Sequence, residues 1–153
     1  PHIQTSFITR KQFGAHRRTL ELPLEQARKE YVTNIQESLF TLAPRGDGNY
    51  SLRFYETLSL GRIPVLIDTD MRLPLENIVP YESCIVRVPY TDVGHIDRIL
   101  LEFWNSASED DLLRMQHNAR TVNERYLHYP IFLRTLLSSE DFMNSLHHHG
   151  QVS

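Results

Sequence analysis

The sequence predicts an α/β domain in which a mostly parallel sheet is flanked by helices and followed by a helical C-terminal tail. Residues 63–67 form a continuous apolar run, which is typical of a strand covered on both faces, as in parallel sheets. Up to Pro89 the predicted order is helix, strand, helix, strand, strand, and beyond it the apolar spacing is helical. Together these observations favour the α/β class.

Three strands and six helices are predicted along the chain. The strands are expected at residues 39–43, 63–67 and 84–88. The helices are expected at residues 24–37, 52–60, 94–104, 108–129, 131–137 and 141–146. Ser51 and Ser108 suit the N-cap positions of the second and fourth helices, and Gly61 suits a left-handed C-terminal cap.

The length sets the number of domains. A chain of 153 residues holds one domain with its own core, and no segment approaches the roughly 18 apolar residues of a membrane span. We expect a connector at residues 1–22, the main domain at 23–130 and the helical tail at 131–153. Because the chain begins at Pro1 rather than at a methionine, we expect it to be a segment of a longer protein.

The charge pattern argues against a nucleic-acid partner. The net charge is −3, so the chain lacks the excess of cations that binding to a phosphate backbone requires. Fourteen of its 16 cationic side chains are arginines, which suit bidentate recognition of phosphate, although an Arg-biased genome composition gives the same count. The one cysteine, Cys84, excludes an internal disulfide and any multi-cysteine metal site.

The candidate site is the glycine-containing loop at residues 44–50, which follows a predicted strand and opens a helix. Unpaired backbone N–H groups and the positive end of a helix dipole bind phosphate at such a junction. Ser51 would add a hydroxyl, and Arg45 and Arg53 would add full charges. Arg53 and Glu56 share a helix face, so a nucleoside diphosphate could meet a cation and a carboxylate there. The alternative is an ordinary surface turn followed by an ion pair between Arg53 and Glu56.

Two common nucleotide motifs do not fit this loop. The GxxxxGK[ST] spacing of a Walker loop and its lysine are missing. Ser51 stands where the dinucleotide fingerprint GxGxxG, started by Gly46 and Gly48, needs its third glycine. An ATPase and a nicotinamide enzyme are therefore disfavoured.

Six short motifs carry a family resemblance. They are SLFTLAPRG at 38–46, SLRFYE at 51–56, GRIPVLID at 61–68, LPLE at 73–76, YESCIVRV at 81–88 and LRMQ at 113–116. In this order and at about this spacing, they make residues 31–129 resemble the C-terminal half of exostosin-like glycosyltransferases, glycosyltransferase family 47.

The resemblance implies one half of a GT-B fold, that is, one of two Rossmann-like domains. This half would bind the nucleotide-sugar donor, with UDP as the nucleotide, and an N-terminal domain of the same parent would bind the glycan acceptor. Such enzymes invert the anomeric configuration, and their general base usually comes from the acceptor side. We therefore expect the parent to be a hexosyl- or pentosyltransferase, the catalytic base to lie outside this segment, and the segment alone to be inactive.

The same resemblance implies roles for individual residues. Gly46, Ser51 and Arg53 match the diphosphate end of the donor site, and Glu56 matches the acidic residue expected on the ribose. Arg45 is a second candidate phosphate contact.

Asp68, at the exit of the strand 63–67, either faces the sugar or only ends the strand. No metal site is assigned, although a divalent ion can assist such transfers. Asp68-Thr69-Asp70 has the spelling of a DxD metal motif, but we expect it to be a turn.

Two rival hypotheses belong to other classes. One is a non-catalytic binding or scaffolding module that kept the fold and lost transfer. The other is a flavodoxin-like or receiver-like domain with Asp68 as its acidic strand-end residue, which the lack of a partnering acidic pair and lysine weakens. The sequence does not decide the compartment: in a bacterium or virus we expect the cytoplasm or a membrane, and in a eukaryote the Golgi.

Overall fold

The computed structural model describes residues 3–9 and 22–138 of the chain. The helices there are α1 (Leu24–Glu37), α2 (Leu52–Ser59), α3 (Ile96–Ser106), α4 (Glu109–Val122) and α5 (Tyr129–Leu137). In these described ranges no helix has both the length and the apolar character needed to cross a membrane. The predicted helix at 141–146 and most of the predicted connector lie outside the described residues.

The strands confirm the predicted α/β class with a parallel sheet. They are β1 (Phe40–Ala43), β2 (Ile63–Asp68) and β3 (Val86–Pro89), arranged in the order β1-β2-β3. Both pairings are parallel, with Phe40 opposite Ile63 and Val65 opposite Val86. Because parallel strands point the same way, the chain leaves all three strands at one edge of the sheet, where ligands bind in open α/β folds.

The central strand β2 is covered on both faces, as its apolar run predicts. Leu66 packs with Phe54 and Leu58 of α2 in one core cluster. Val65 packs with Val88 and with residues of α3 and α4 in a second cluster on the other face. Successive side chains of a strand point to opposite faces, so one apolar run supplies both cores. Burying each such side chain contributes about 1.5–3 kcal/mol to stability.

The two predicted helix caps with a strong sequence signal are confirmed. Gly61 has φ +64°, its N–H donates to the Leu58 carbonyl at 3.0 Å, and the Arg62 N–H donates to the Thr57 carbonyl at 3.1 Å. These bonds form the Schellman motif that ends α2. Ser108 forms a capping box with Asp111 at the start of α4.

The single long helix predicted at 108–129 is wrong. α4 ends at Val122, a π-helical turn follows at Asn123–Leu127, and His128 has extended backbone with ψ 126°. Pro130 stands in the first turn of α5, because a proline has no N–H to donate and its ring clashes with a preceding helical turn. The periodic apolar spacing therefore continues across a point where the backbone leaves the helical conformation.

The starts of β1, β3, α3 and α5 differ from the prediction by one or two residues. β3 begins at Val86 rather than at residue 84, because the Cys84 N–H donates to the Tyr81 carbonyl at 2.9 Å and closes a 3₁₀ turn. α3 begins at Ile96 rather than at residue 94, after a 3₁₀ helix at Tyr90–His95. These shifts lie within the usual uncertainty of element boundaries.

Candidate functional site

An open cleft of about 700 Å³ lies at the carboxyl edge of the sheet. The segments that follow β1, β2 and β3 each contribute to its wall. The lining residues are Pro44, Arg45, Ile67, Asp68, Thr69, Asp70, Pro89, Tyr90 and Thr91. Two of the sequence-predicted site residues, Arg45 and Asp68, thus share one cleft, and the Arg45 side chain is exposed to any ligand that enters it.

The loop between β1 and α2 is closed on itself. The Gly46 N–H donates to the Tyr50 carbonyl at 2.8 Å, and a Cβ at Gly46 would lie 3.3 Å from that carbonyl oxygen. A Cβ at Gly48 would lie 2.6 Å from the Tyr50 ring, closer than atoms pack. Gly48 therefore allows the Tyr50 ring to fold over the loop, and the Gly46 N–H is already used within it.

Ser51 occupies the N-cap position of α2, as predicted, but its hydroxyl makes no capping hydrogen bond. The residue is 2% exposed. Ser108 differs from Ser51, because the Ser108 hydroxyl accepts from the Asp111 N–H at 3.1 Å. The first turn of α2 also has no acidic residue, whereas that of α4 has three. The positive end of α2 is therefore left without the side-chain oxygens that compensate it elsewhere.

Arg53 and Glu56 are both exposed on α2, and both contact Tyr31 of α1. The Tyr31 hydroxyl donates to Glu56 Oε2 at 2.5 Å and accepts from Arg53 Nε at 3.3 Å. The Arg53 guanidinium also lies over the Tyr31 ring, 5.4 Å from its centroid. Within the described part of the chain, the two charged groups form no ion pair with each other, so the ion pair of the alternative interpretation is not formed.

The environment keeps the Tyr31 phenol protonated. Its pKa is raised, first by burial and then by the hydrogen bond to Glu56, and the neighbouring Arg53 only partly opposes this. A phenol that stays neutral remains a hydrogen-bond donor. Tyr31 therefore fixes one oxygen of Glu56 and leaves Oε1 for another partner.

Asn49 joins the first loop of the cleft to the second. The Thr69 hydroxyl donates to Asn49 Oδ1 at 2.8 Å, and Asn49 Nδ2 donates to the Asp70 carbonyl at 3.3 Å. Both ends of the amide are thus engaged in holding the β1–α2 loop against the segment that follows β2. The two walls of the cleft are connected through this one side chain.

Asp68-Thr69-Asp70 is a turn, as predicted. Asp68 Oδ1 accepts from the Asp70 N–H at 3.1 Å, and Asp70 has φ +58°. Asp68 Oδ2 accepts from Arg87 Nη1 of β3 at 3.1 Å. Both oxygens of Asp68 therefore have protein partners. Among the residues that the structure describes, no group of three or more His, Cys, Asp or Glu side chains is placed to hold a metal ion.

The six predicted site residues do not all reach one surface. Arg45 and Asp68 line the cleft, whereas the other predicted residues lie on the loop and helix that follow β1, outside the lining: Gly46, Ser51, Arg53 and Glu56. Sequence reasoning missed Tyr31 and Asn49. Tyr31 lies 22 residues before Arg53, so no local spacing reveals the contact. For Asn49, its position in a glycine-containing loop was the one available signal.

The Exostosin GT47 domain family matches residues 2–103 of the chain. The chain belongs to the exostosin GT47 family.

Exostosin GT47 relatives come from plants and animals. A probable glucuronosyltransferase of Oryza sativa subsp. japonica is 37% identical over 86 residues, which are 56% of this chain and 19% of that protein. The exostosin-1 homolog of Caenorhabditis elegans is 33% identical over 103 residues, 67% of this chain and 26% of that protein. A probable beta-1,4-xylosyltransferase of Arabidopsis thaliana is 37% identical over 70 residues, 46% of this chain and 17% of that protein. The chain therefore matches about a sixth to a quarter of the length of these relatives.

Proposed function

We propose that the full-length protein is a glycosyltransferase and that this segment binds the nucleoside diphosphate of its nucleotide-sugar donor, with UDP as the nucleotide. Membership of the exostosin GT47 family and the names of its relatives support glycosyl transfer. The observation that carries the donor role is the start of α2, where no side chain caps the helix and an exposed arginine stands in the first turn.

The diphosphate would bind at the start of α2, beside Arg53, and extend toward Arg45 in the cleft. The free N–H groups of the first turn of α2 point out of the helix end, and they favour an anion there. Arg53 uses Nε on Tyr31, and in the described residues its two Nη groups have no partner, which leaves them for phosphate oxygens. Arg45 in the cleft would be the second cation. Each charge-assisted hydrogen bond of this kind contributes about 1.5–3 kcal/mol.

Glu56 would hold the ribose. Tyr31 occupies Oε2 of this carboxylate, so Oε1 is the oxygen that accepts from ribose hydroxyls. Gly46 would act through the shape of the loop, because its N–H is already bonded to the Tyr50 carbonyl. Ser51 is 2% exposed, so its hydroxyl would contact the diphosphate only through the small accessible part of its surface.

In the proposed reaction, a nucleophilic hydroxyl of the glycan acceptor displaces the nucleoside diphosphate with inversion at the anomeric carbon. Negative charge builds on the departing diphosphate in the transition state, and Arg53, Arg45 and the end of α2 would stabilise it. The general base that takes the acceptor proton would come from the N-terminal domain of the parent. Asp68 pairs with Arg87 and lies at the cleft wall, where the sugar would lie.

The experiment that tests the proposal compares two arginine variants of the full-length protein. Arg53→Ala should weaken UDP binding and lower sugar transfer from a radiolabelled UDP-sugar more than tenfold, the effect of losing about 1.5–3 kcal/mol. The control is Arg98→Ala, which removes an exposed arginine of α3 whose partner is Glu102 on the same helix.

Arg98→Ala should leave both measurements unchanged. Equal activity in Arg53→Ala and Arg98→Ala would contradict the phosphate role of Arg53. Binding of UDP without transfer, in the presence of acceptors, would favour the scaffolding module over the enzyme.

A further inference from the structure

Arg87 lies among three carboxylates beside the cleft. Its Nη1 is 3.1 Å from Asp68 Oδ2, its Nη2 is 2.9 Å from Glu82 Oε1, and its Nη2 is 3.8 Å from Glu76 Oε1. Its Nε also donates to Glu82 Oε1 at 3.0 Å. One guanidinium thus faces three negative charges and holds β3 to the turn that follows β2.

The three ion pairs are not equivalent. Asp68 is 28% exposed and Arg87 is 26% exposed, whereas Glu82 is 70% exposed. Solvent screens the pair with Glu82 most and the pair with Asp68 least. Glu82 receives two contacts from Arg87, but Asp68 is the partner that lines the cleft, so the pair with Asp68 is the one that bears on a ligand there.

The position of Arg87 separates it from a ligand in the cleft. Asp68 lines the cleft, but Arg87 lines a neighbouring hollow together with Glu76 and Glu82. Arg87 therefore contacts a molecule in the cleft only indirectly, through Asp68. Without Arg87, the Asp68 carboxylate would stand uncompensated in the wall of a cleft that also contains Arg45.

We propose that Arg87 is a positioning residue that neutralises Asp68 and fixes its turn, so that the cleft accepts an anionic diphosphate. This inference rests on the proposed donor role of the cleft. The turn matters as well as the charge, because the segment held by Arg87 on one side is held by Asn49 on the other, through Thr69 and the Asp70 carbonyl. Arg87 and Asn49 thus act on the same turn from opposite ends.

The test is a double-mutant cycle on the full-length protein, with UDP as the probe and calorimetry as the readout. Arg87→Met should raise the Kd for UDP roughly tenfold, since close charged groups are coupled to this extent. In an Asp68→Asn background, Arg87→Met should change the Kd by about twofold or less, because the carboxylate that it neutralises is gone.

Two controls separate neutralisation from a general role in stability. Glu82→Gln should not rescue Arg87→Met, because Glu82 lies outside the cleft lining. The penalty of Arg87→Met should also shrink at about 0.5 M salt, where the Debye length falls to a few ångströms. A loss of fold would give neither the specific rescue nor this salt dependence.

Arg87→Lys keeps the charge and serves if Arg87→Met does not fold. It should bind UDP within roughly threefold of the unsubstituted protein, although it loses the planar fork. A Kd in Arg87→Lys as weak as in Arg87→Met, or rescue by Glu82→Gln equal to that by Asp68→Asn, would overturn the proposal. If the unsubstituted protein binds UDP and Arg87→Met binds it equally well, this inference alone fails. If the unsubstituted protein does not bind UDP, the proposed donor role fails and this inference falls with it.

Discussion

The Tyr31 hydroxyl donates a 2.5 Å hydrogen bond to the carboxylate of Glu56, and this bond connects α1 to α2. The same hydroxyl accepts from Arg53. A cation and a carboxylate that stand one helical turn apart are thereby held as a pair without contacting each other. In the proposed donor site, this arrangement orients one group toward the phosphates and the other toward the ribose.

Tyr31→Phe should weaken UDP binding roughly three- to tenfold while costing only about 0.5–1.5 kcal/mol of stability, the usual contribution of one hydrogen bond. The phenyl ring still packs under Arg53, so the loss isolates the hydroxyl. Calorimetry and urea unfolding measure the two effects. The control is Tyr129→Phe, at a tyrosine that is 72% exposed on α5, which should change neither. Equal affinity in Tyr31→Phe and in the unsubstituted protein would remove Tyr31 from the site.

The two N-cap serines should respond in opposite ways to alanine. Ser108→Ala removes the two hydrogen bonds of the Ser108 hydroxyl, one from the Asp111 N–H and one to the Asp111 carboxylate, and should cost about 0.5–2 kcal/mol without affecting UDP binding. Ser51 caps nothing with its side chain, so Ser51→Ala should cost less stability than Ser108→Ala but should weaken UDP binding, because it removes a hydroxyl of the proposed donor site. Urea unfolding and UDP titration of both variants give the comparison. A larger loss of stability in Ser51→Ala than in Ser108→Ala would contradict the uncapped start of α2.

Gly61→Ala tests the end of the same helix. A Cβ at Gly61 would meet its neighbours at an ordinary 3.6 Å, so the cost is conformational and comes from φ +64°. We expect a loss of about 1–2 kcal/mol in urea unfolding. At Gly94, where a Cβ meets nothing within 4 Å and φ is not positive, alanine should change stability by less than about 0.5 kcal/mol. Similar losses at the two glycines would count against the Schellman motif.

More of the fold than of the candidate site could be predicted from the sequence. The apolar run of β2, the glycine after α2 and the serine before α4 each act through local chemistry, and all three predictions are confirmed. The end of the helical conformation at His128 was missed because the apolar spacing continues through it, although Pro130 indicates such an end. The contacts of Tyr31, Asn49 and Arg87 join segments about 20 residues apart, so they depend on packing that no local pattern encodes.

Because of the buried thiol of Cys84, the folded protein should become less stable at alkaline pH. Burial, first, and the neighbouring Glu82 raise the pKa of its thiol to about 12. Because the folded value lies above the unfolded value of about 8.5, this stabilisation is complete below about pH 8.5 and is lost as the pH rises toward 12.

Thiol labelling checks this directly. Iodoacetamide at pH 8.5, read out by peptide mass spectrometry, should modify Cys84 slowly in the native protein and rapidly in urea, because the thiolate is the reactive form. Equal labelling rates in the two states would show that the thiol is not buried and that its pKa is not raised.

Hydrogen exchange across the start of α2, with and without UDP, tests the proposed diphosphate site in the protein itself. Millimolar UDP should slow exchange of the amides in residues 45–56 of the full-length protein, and Arg53→Ala should abolish this protection while Arg98→Ala retains it. Unchanged exchange in that segment at millimolar UDP would contradict the claim that the uncapped end of α2 and its arginine bind the diphosphate.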